Sequence, residues 1–247
     1  MDRRTAIDVA LRRAGPGSSY LEIGLGTGET FRRVRARRKV GVDPRMPDRA
    51  MVGLARSTPQ RARRPGRSHE LVYRTTSDRF FRSHQARLRR HPLDVVLVDG
   101  LHTHDQTRRD IENAVHALAP RGVVIAHDCN PQSADDAAPA PVALRWNGEC
   151  WKAIVTLRAT RPDLSVCVLD CDEGLGLVRR RSVHRPPPLD LTPAAIEAMT
   201  YDDLAADRVR LLDLRPPEFF RAWLDGADGP GSDVETSVGR TARAPSS

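Results

Sequence analysis

Tyr20-Leu21-Glu22-Ile23-Gly24-Leu25-Gly26-Thr27-Gly28-Glu29 is the stretch on which the fold turns. It reads as a buried strand that ends in a glycine-rich turn and feeds a helix. Glycine lets a backbone come close to a ligand. A dinucleotide turn, G-x-G-x-x-G, opens its helix N-terminus to a pyrophosphate. Here the glycines stand at 24, 26 and 28, and Glu29 holds the place of the third dinucleotide glycine. A carboxylate there repels phosphate. A second acid, Glu22, sits in the strand end. The pattern asks for a ligand with an adenosine, cationic groups and no phosphate, and S-adenosylmethionine (SAM) has that composition.

Two further strand ends carry acids. Lys39-Val40-Gly41-Val42-Asp43 places Asp43 where nucleoside-binding α/β folds bind ribose hydroxyls. The apolar run Leu71-Val72-Tyr73 is followed by Ser77-Asp78. The chain from Glu22 through Gly28, with Asp43, resembles the class I SAM-dependent methyltransferases and their E/D-x-G-x-G-x-G motif. The resemblance implies SAM as cofactor, held by Glu22, Gly24, Gly26, Gly28 and Asp43, with Asp78 near the adenine.

Around this centre, strands and helices alternate. Helices are expected at 3–14, 28–37, 78–90, from Thr103, and at 148–160. Strands are expected at 18–24, 39–43, 70–75, 93–99, 123–128, 164–170 and 174–181. The continuous apolar run Leu93-Asp94-Val95-Val96-Leu97-Val98 indicates burial on both faces, as in a parallel sheet. Thr103 and Gln106 have capping-box spacing. The alternation, closed by a hairpin through Cys171-Asp172-Glu173-Gly174, predicts a doubly wound α/β sheet. The resemblance extends over about 18–181. It adds seven strands, six parallel and one antiparallel, with the order reversing at the first strand. Ligands sit at the carboxyl ends by that switch point.

Domain boundaries follow from composition. Residues 1–182 read as the methyltransferase-like domain. Arg185-Pro186-Pro187-Pro188 begins a linker and helical C-terminal extension over 183–225, with Thr200-Tyr201-Asp202-Asp203 as a cap. This extension is expected to close over the site or to dock on a second subunit. The Gly/Ser/Asp/Thr-rich end, 226–247, reads as a disordered tail.

The chemistry is expected where the fourth and fifth strands end. Asp99-Gly100-Leu101-His102-Thr103-His104 faces His127-Asp128-Cys129-Asn130 there. Methyl transfer requires a nucleophile aligned behind the methyl group. A hydroxyl must also lose a proton, to an imidazole or with help from a divalent cation. The local pattern resembles the metal-dependent sugar and small-molecule O-methyltransferases of antibiotic pathways, the macrocin and mycinamicin type. That subfamily has Asp-Gly-x-His after the fourth strand, which matches Asp99 as metal ligand and His102 as base.

After the fifth strand the subfamily carries two adjacent acids, whereas this chain has His127-Asp128. The expected metal set is therefore Asp99, His127 and Asp128, with a softer metal, Asn130 as an oxygen ligand, or no metal all left open. His104, Asn130 and Trp146 are candidate acceptor contacts. The plainer alternatives are that His104 favours a helix start, that His127 is a satisfied strand-end histidine, and that Trp151 packs a helix into the core.

The formal charge of +8 would point to nucleic acid, yet lysine occurs only at 39 and 152, and the basic run Arg61 to Arg67 has no aromatic for stacking a base. The arginine excess reads as a compositional bias, and nucleic acid is not the expected partner. No apolar run reaches membrane length, and Met1-Asp2-Arg3-Arg4 leads straight into an amphipathic helix, which argues against a spanning or secretory segment. Cysteines at 129, 150, 167 and 171 form no C-x-x-C pair, and the expected compartment is the reducing cytoplasm. The leading expectation is an O-methyltransferase of a small secondary metabolite. The alternatives are an N-methyltransferase, an RNA methyltransferase and a catalytically silent SAM-binding partner. A homo-oligomer is left open.

Overall fold

The computed structural model describes residues 1–45, 69–142, 146–180 and 184–226. The chain runs α1 (Arg3–Ala14), β1 (Ser19–Ile23), α2 (Glu29–Arg33), β2 (Arg38–Val42), β3 (His69–Tyr73), α3 (Ser77–Arg90), β4 (Leu93–Val98), α4 (His104–Ala117), β5 (Leu118–Ala126), α5 (Cys150–Thr160), β6 (Leu164–Leu169) and β7 (Leu175–Arg180). It continues through α6 (Pro193–Ala198), α7 (Tyr201–Leu212), β8 (Leu214–Arg215) and α8 (Phe219–Asp225).

The strands form one sheet in the order β3-β2-β1-β4-β5-β7-β6-β8. β1 pairs in parallel with both β2 and β4, so the order reverses there and leaves a crevice at their carboxyl ends. β7 is antiparallel to both β5 and β6. Alternation along each strand splits the core in two. Leu21, Ile23, Val96, Val98 and Val124 face a cluster completed by α3, α4 and α5. Tyr20, Val95, Leu97, Val123 and Ile125 face a second, completed by Ile7 of α1, Phe31 of α2, and Phe220 and Trp223 of α8.

Four expectations need correction. The sheet has eight strands, because Leu214 and Arg215 pair in parallel with Val168 and Leu169 at the β6 edge. α2 stops at Arg33, because Val34 turns extended and is buried with Ala36 in the second cluster. β5 begins at Leu118, across a register shift opposite Leu93 and Val95, and so takes in Pro120 and Gly122. Thr103 precedes α4 without a side-chain cap, and the Gln106 side-chain oxygen, which a capping box would turn to the Thr103 amide, accepts instead from Arg109 Nη2 at 2.7 Å. The Thr200–Asp203 capping box does form.

The C-terminal helices pack on this chain's own sheet. Ile196, Leu204, Leu211 and Leu212 join the first cluster. Trp223 donates to Ser165 Oγ, and Arg179 donates to the carbonyls of Trp223 and Leu224. All four cysteines are free, and Cys129, Cys150 and Cys167 are buried. Among the described residues no helix is long and apolar enough to cross a membrane. The run Arg61 to Arg67 and the tail after Gly226 lie outside the described residues.

Candidate active site

The glycine turn closes one wall of a cleft of about 520 Å³, lined by residues that include Glu22, Gly24, Gly26, Thr27, Glu29, Asp99, Asp172 and Arg3. Each glycine has its own reason. A Cβ on Gly24 would fall 1.8 Å from the Asp99 carbonyl oxygen, so only glycine lets the β1 end pass the β4 end. Gly26 is left-handed (φ 49°), and a Cβ there would meet nothing within 4 Å. Gly28 is also left-handed (φ 74°) and precedes the first turn of α2.

Asp43 supports the turn from behind. One carboxylate oxygen accepts the amides of Leu25 and Gly26 at 2.9 and 3.0 Å, and the other accepts that of Arg45 at 2.7 Å. Glu22 is buried and accepts the Tyr20 hydroxyl at 2.6 Å. Burial pushes its carboxyl up to about 8, against the opposing pull of that hydroxyl. Asp78 faces away from this cleft, toward a groove between α3 and α4, with Gln106 at 3.3 Å and Arg109 at 3.8 Å.

At the rim, the ends of β4 and β5 bring Asp99, His102, His127 and Asp128 together, as the sequence suggests. His102 Nε2 lies 3.3 Å from Asp128 Oδ2 and 3.6 Å from Asp99 Oδ1. His127 Nδ1 lies 2.7 Å from Asp128 Oδ2, and its Nε2 lies 3.5 Å from Asp172. Asp128 is left-handed (φ 61°), a conformation aspartate tolerates better than most residues.

Burial opposes the charged form of each group, and mutual pairing overrides it. Burial pulls His127 down, but Asp128, which accepts from its Nδ1, together with the nearby Asp172 and Asp99 raises it to about 9. His102 is likewise raised despite burial, through Asp99, Asp128 and the Trp146 carbonyl. Asp99 is held below its ordinary value despite burial, by His102, His127 and Arg3. Asp172 is held far below, first by its bond with His127 and then by Arg3.

Three members escape a reading of the sequence. Arg3, at the start of α1, donates from Nη1 to Asp99 Oδ2 at 2.7 Å, and from Nε and its backbone amide to Asp172 Oδ2 at 3.2 and 2.6 Å. Asp172 arrives on the β6–β7 turn, where Asp172, Glu173 and Gly174 are successively left-handed. Asn147 is fully buried and donates to Asp128 Oδ1 at 2.6 Å. A Cβ on Gly148 would strike the His102 carbonyl at 2.2 Å, so this glycine seats the loop on His102.

The remaining candidates are used internally or lie at the edge. His104 is buried between Glu197 of α6 and Thr156 of α5, at 2.6 and 2.8 Å. Asn130 donates to Asp170 and accepts from Arg208 of α7. Trp146 donates from its indole to the Ala138 carbonyl, and its ring lies 5.2 Å from that of His102. Trp151 is buried in the first cluster.

One ligand atom from each of Asp99, His102 and Asp128 lies within 4.8 Å of the others. Their outer atoms are held from outside, Asp99 by Arg3, Asp128 by Asn147 and His102 by the Trp146 carbonyl. Such outer bonds orient inner atoms toward a shared point, where the trio could hold a divalent cation in competition with His127 Nδ1, which donates to Asp128 Oδ2 at 2.7 Å. His102, rather than His127, completes it.

Residues 21–129 match the family model for a methyltransferase domain. No curated protein matches the chain. Among solved structures, the chain is similar to the N-methyltransferase NodS from Bradyrhizobium japonicum WM9, with 23% identity over 72% of this chain and 93% of that one, and a TM-score of 0.45. It is also similar to the S-adenosyl-l-homocysteine-bound methyltransferase PaMTH1 of Podospora anserina, with 17% identity, 72% and 77% coverage and a TM-score of 0.46. A third is the MycE methyltransferase of the mycinamycin pathway, crystallised with Mg and S-adenosyl-l-homocysteine, with 14% identity, 70% and 47% coverage and a TM-score of 0.44.

Proposed function

We propose that this chain is a SAM-dependent methyltransferase that methylates a hydroxyl of a small-molecule acceptor, a sugar-bearing or hydroxylated secondary metabolite. The observation that carries this reading is the double membership of Asp99. It lines the cleft beside the glycine turn, and it also belongs to the Asp99–His102–Asp128 trio. A methyl donor in the cleft would thus face the groups suited to take a hydroxyl proton. The methyltransferase-domain match over 21–129 spans Glu22, Asp43, Asp99, His102 and Asp128.

In this reading the backbone turn from Gly24 to Gly28 takes the donor, and Glu22 supplies negative charge beside its cationic groups. Asp43 stiffens the turn through the Leu25 and Gly26 amides, and the ribose would take the remaining acceptor capacity of its carboxylate. His102 is the base. Its Nδ1 donates to the Trp146 carbonyl, so once the ring is neutral its lone pair is on Nε2, where the two carboxylates favour taking up a proton. The Trp146 ring, packed on His102, forms an acceptor wall.

A divalent cation on Asp99, His102 and Asp128 would lower the pKa of the acceptor hydroxyl. His102 cannot then serve as base, because Nε2 has a single lone pair. The imidazole in the set suits manganese, zinc or iron better than magnesium.

The deciding experiment is a methyl-transfer assay with labelled SAM across hydroxylated intermediates, with and without chelator. Tight binding of NADH together with indifference to sinefungin would refute the donor assignment.

A further inference from the structure

The cleft is acidic. Asp2, Glu22, Glu29, Asp99 and Asp172 line it, against three cations, Arg3, Arg4 and Arg33. The proposed donor brings a carboxylate of its own, on its amino-acid arm, and that group needs a cation. Arg33 is drawn to Glu29 at 3.1 Å and is mostly exposed. Arg4 makes no ion pair among the described residues that would hold its guanidinium toward Asp99.

Arg3 differs from both. Asp99 and Asp172 clamp its guanidinium from two sides through Nη1 and Nε, while Nη2 takes no bond among the described residues. The clamp removes the ordering cost that a free arginine would meet on binding. Location agrees as well. The donor's methyl must reach the rim at Asp99, and the sulfonium that carries it also carries the amino-acid arm, a few bonds long. The arm's carboxylate therefore falls within reach of the group already bonded to Asp99.

Resting on the donor reading above, we propose that Arg3 binds the carboxylate of the donor's amino-acid arm through Nη2 while Nε and Nη1 stay on Asp172 and Asp99. Arg3 is thus a specificity residue, which separates SAM from adenosyl compounds that lack the carboxylate. Charge-assisted guanidinium–carboxylate bonds are the stronger kind, and lysine does not reproduce the fork.

The test is calorimetric titration of the wild-type chain, Arg3→Ala and Arg3→Lys with SAM and with decarboxylated SAM. The wild type should prefer SAM by about 10- to 100-fold. Arg3→Ala should narrow that preference to within about threefold, by losing affinity for SAM alone. Arg3→Lys should lie between. The readout is a ratio of two affinities for one preparation, so partial misfolding of a variant cancels. Equal loss for both ligands would make Arg3 a merely structural residue and overturn the proposal, as would loss of preference in Arg4→Ala but not in Arg3→Ala. A wild type that binds SAM without preferring it would overturn the role of Arg3 alone. A wild type that binds neither ligand would overturn the donor reading, and this role with it.

Discussion

His102 Nδ1 lies 3.0 Å from the main-chain oxygen of Trp146. A carbonyl only accepts, so Nδ1 carries the hydrogen and Nε2 is the nitrogen turned to Asp128 and Asp99. The loop after β5 therefore selects the histidine tautomer, and Gly148 permits the close approach that makes this possible.

Replacing His102 with alanine should cut turnover by about 10²–10⁴ while leaving SAM affinity nearly intact. Single-turnover kinetics and a SAM titration on the same preparation measure both quantities. Unchanged turnover would remove His102 from the mechanism.

The Asp99–His102–Asp128 trio should bind Mn²⁺, followed by the loss of the free-ion signal in electron paramagnetic resonance. Asn147→Ala frees Asp128 Oδ1 from its outer bond and should weaken that binding by about 10- to 100-fold. Asp128→Asn should weaken it at least as much. If the wild type takes up no divalent ion and chelator leaves turnover unchanged, the trio works as a proton relay without metal.

Glu22 gives a pH signature. Its carboxyl is raised from an ordinary 4.5 to about 8 by burial. Between those values the folded chain holds a proton that the unfolded chain has released. This group's contribution is therefore most favourable below about 4.5, falls as pH rises toward about 8, and is level above. Glu22→Gln, which stays neutral, should gain stability relative to wild type as pH climbs from 5 to 8 in urea unfolding, by up to a few kcal/mol. A difference between the two that does not change with pH would refute the shift.

Donor binding should reverse that protonation. A cationic ligand beside Glu22 favours the carboxylate, so SAM binding near pH 7 should release about one proton. The slope of apparent binding enthalpy against buffer ionisation enthalpy reports it. Glu22→Gln should abolish the slope.

Gly24 and Gly26 should differ sharply. Alanine at 24 drives a Cβ to 1.8 Å from the Asp99 carbonyl oxygen, backbone against backbone. That should prevent folding or cost more than about 4 kcal/mol. Alanine at 26 meets open space and carries only the left-handed penalty, about 1–2 kcal/mol. Thermal melts of the two variants decide this, and equal losses would mean that the β1–β4 approach is not what requires Gly24.

The strands and helices of the sheet were legible because each announces itself locally. Burial on both faces writes a continuous apolar run at Val95–Val98, and a tight turn writes glycines at 24, 26 and 28. Asp99, His102, His127 and Asp128 could be paired in advance, since neighbouring parallel strands end at one rim. Other features were beyond such reading. Gln106 had the right spacing for a cap, but Arg109 takes its side-chain oxygen while Ser77, Asp78 and Asp110 take its amide, and nothing in residues 103–106 reveals them. His104 and Asn130 resembled acceptor contacts because their partners, Glu197 and Arg208, come from helices far along the chain.

The local pattern by itself determined an α/β sheet, a glycine-turn cleft at its carboxyl edge and an acid–histidine rim beside it, because these rest on periodicity and on spacings of a few residues. The tertiary structure alone decided which charges meet. Arg3 and Asp172 are 169 residues apart and are joined by two hydrogen bonds between the N-terminal helix and the last hairpin. Electrostatics acts across space, so a site whose charge balance is completed by distant segments is settled only when the chain has closed on itself.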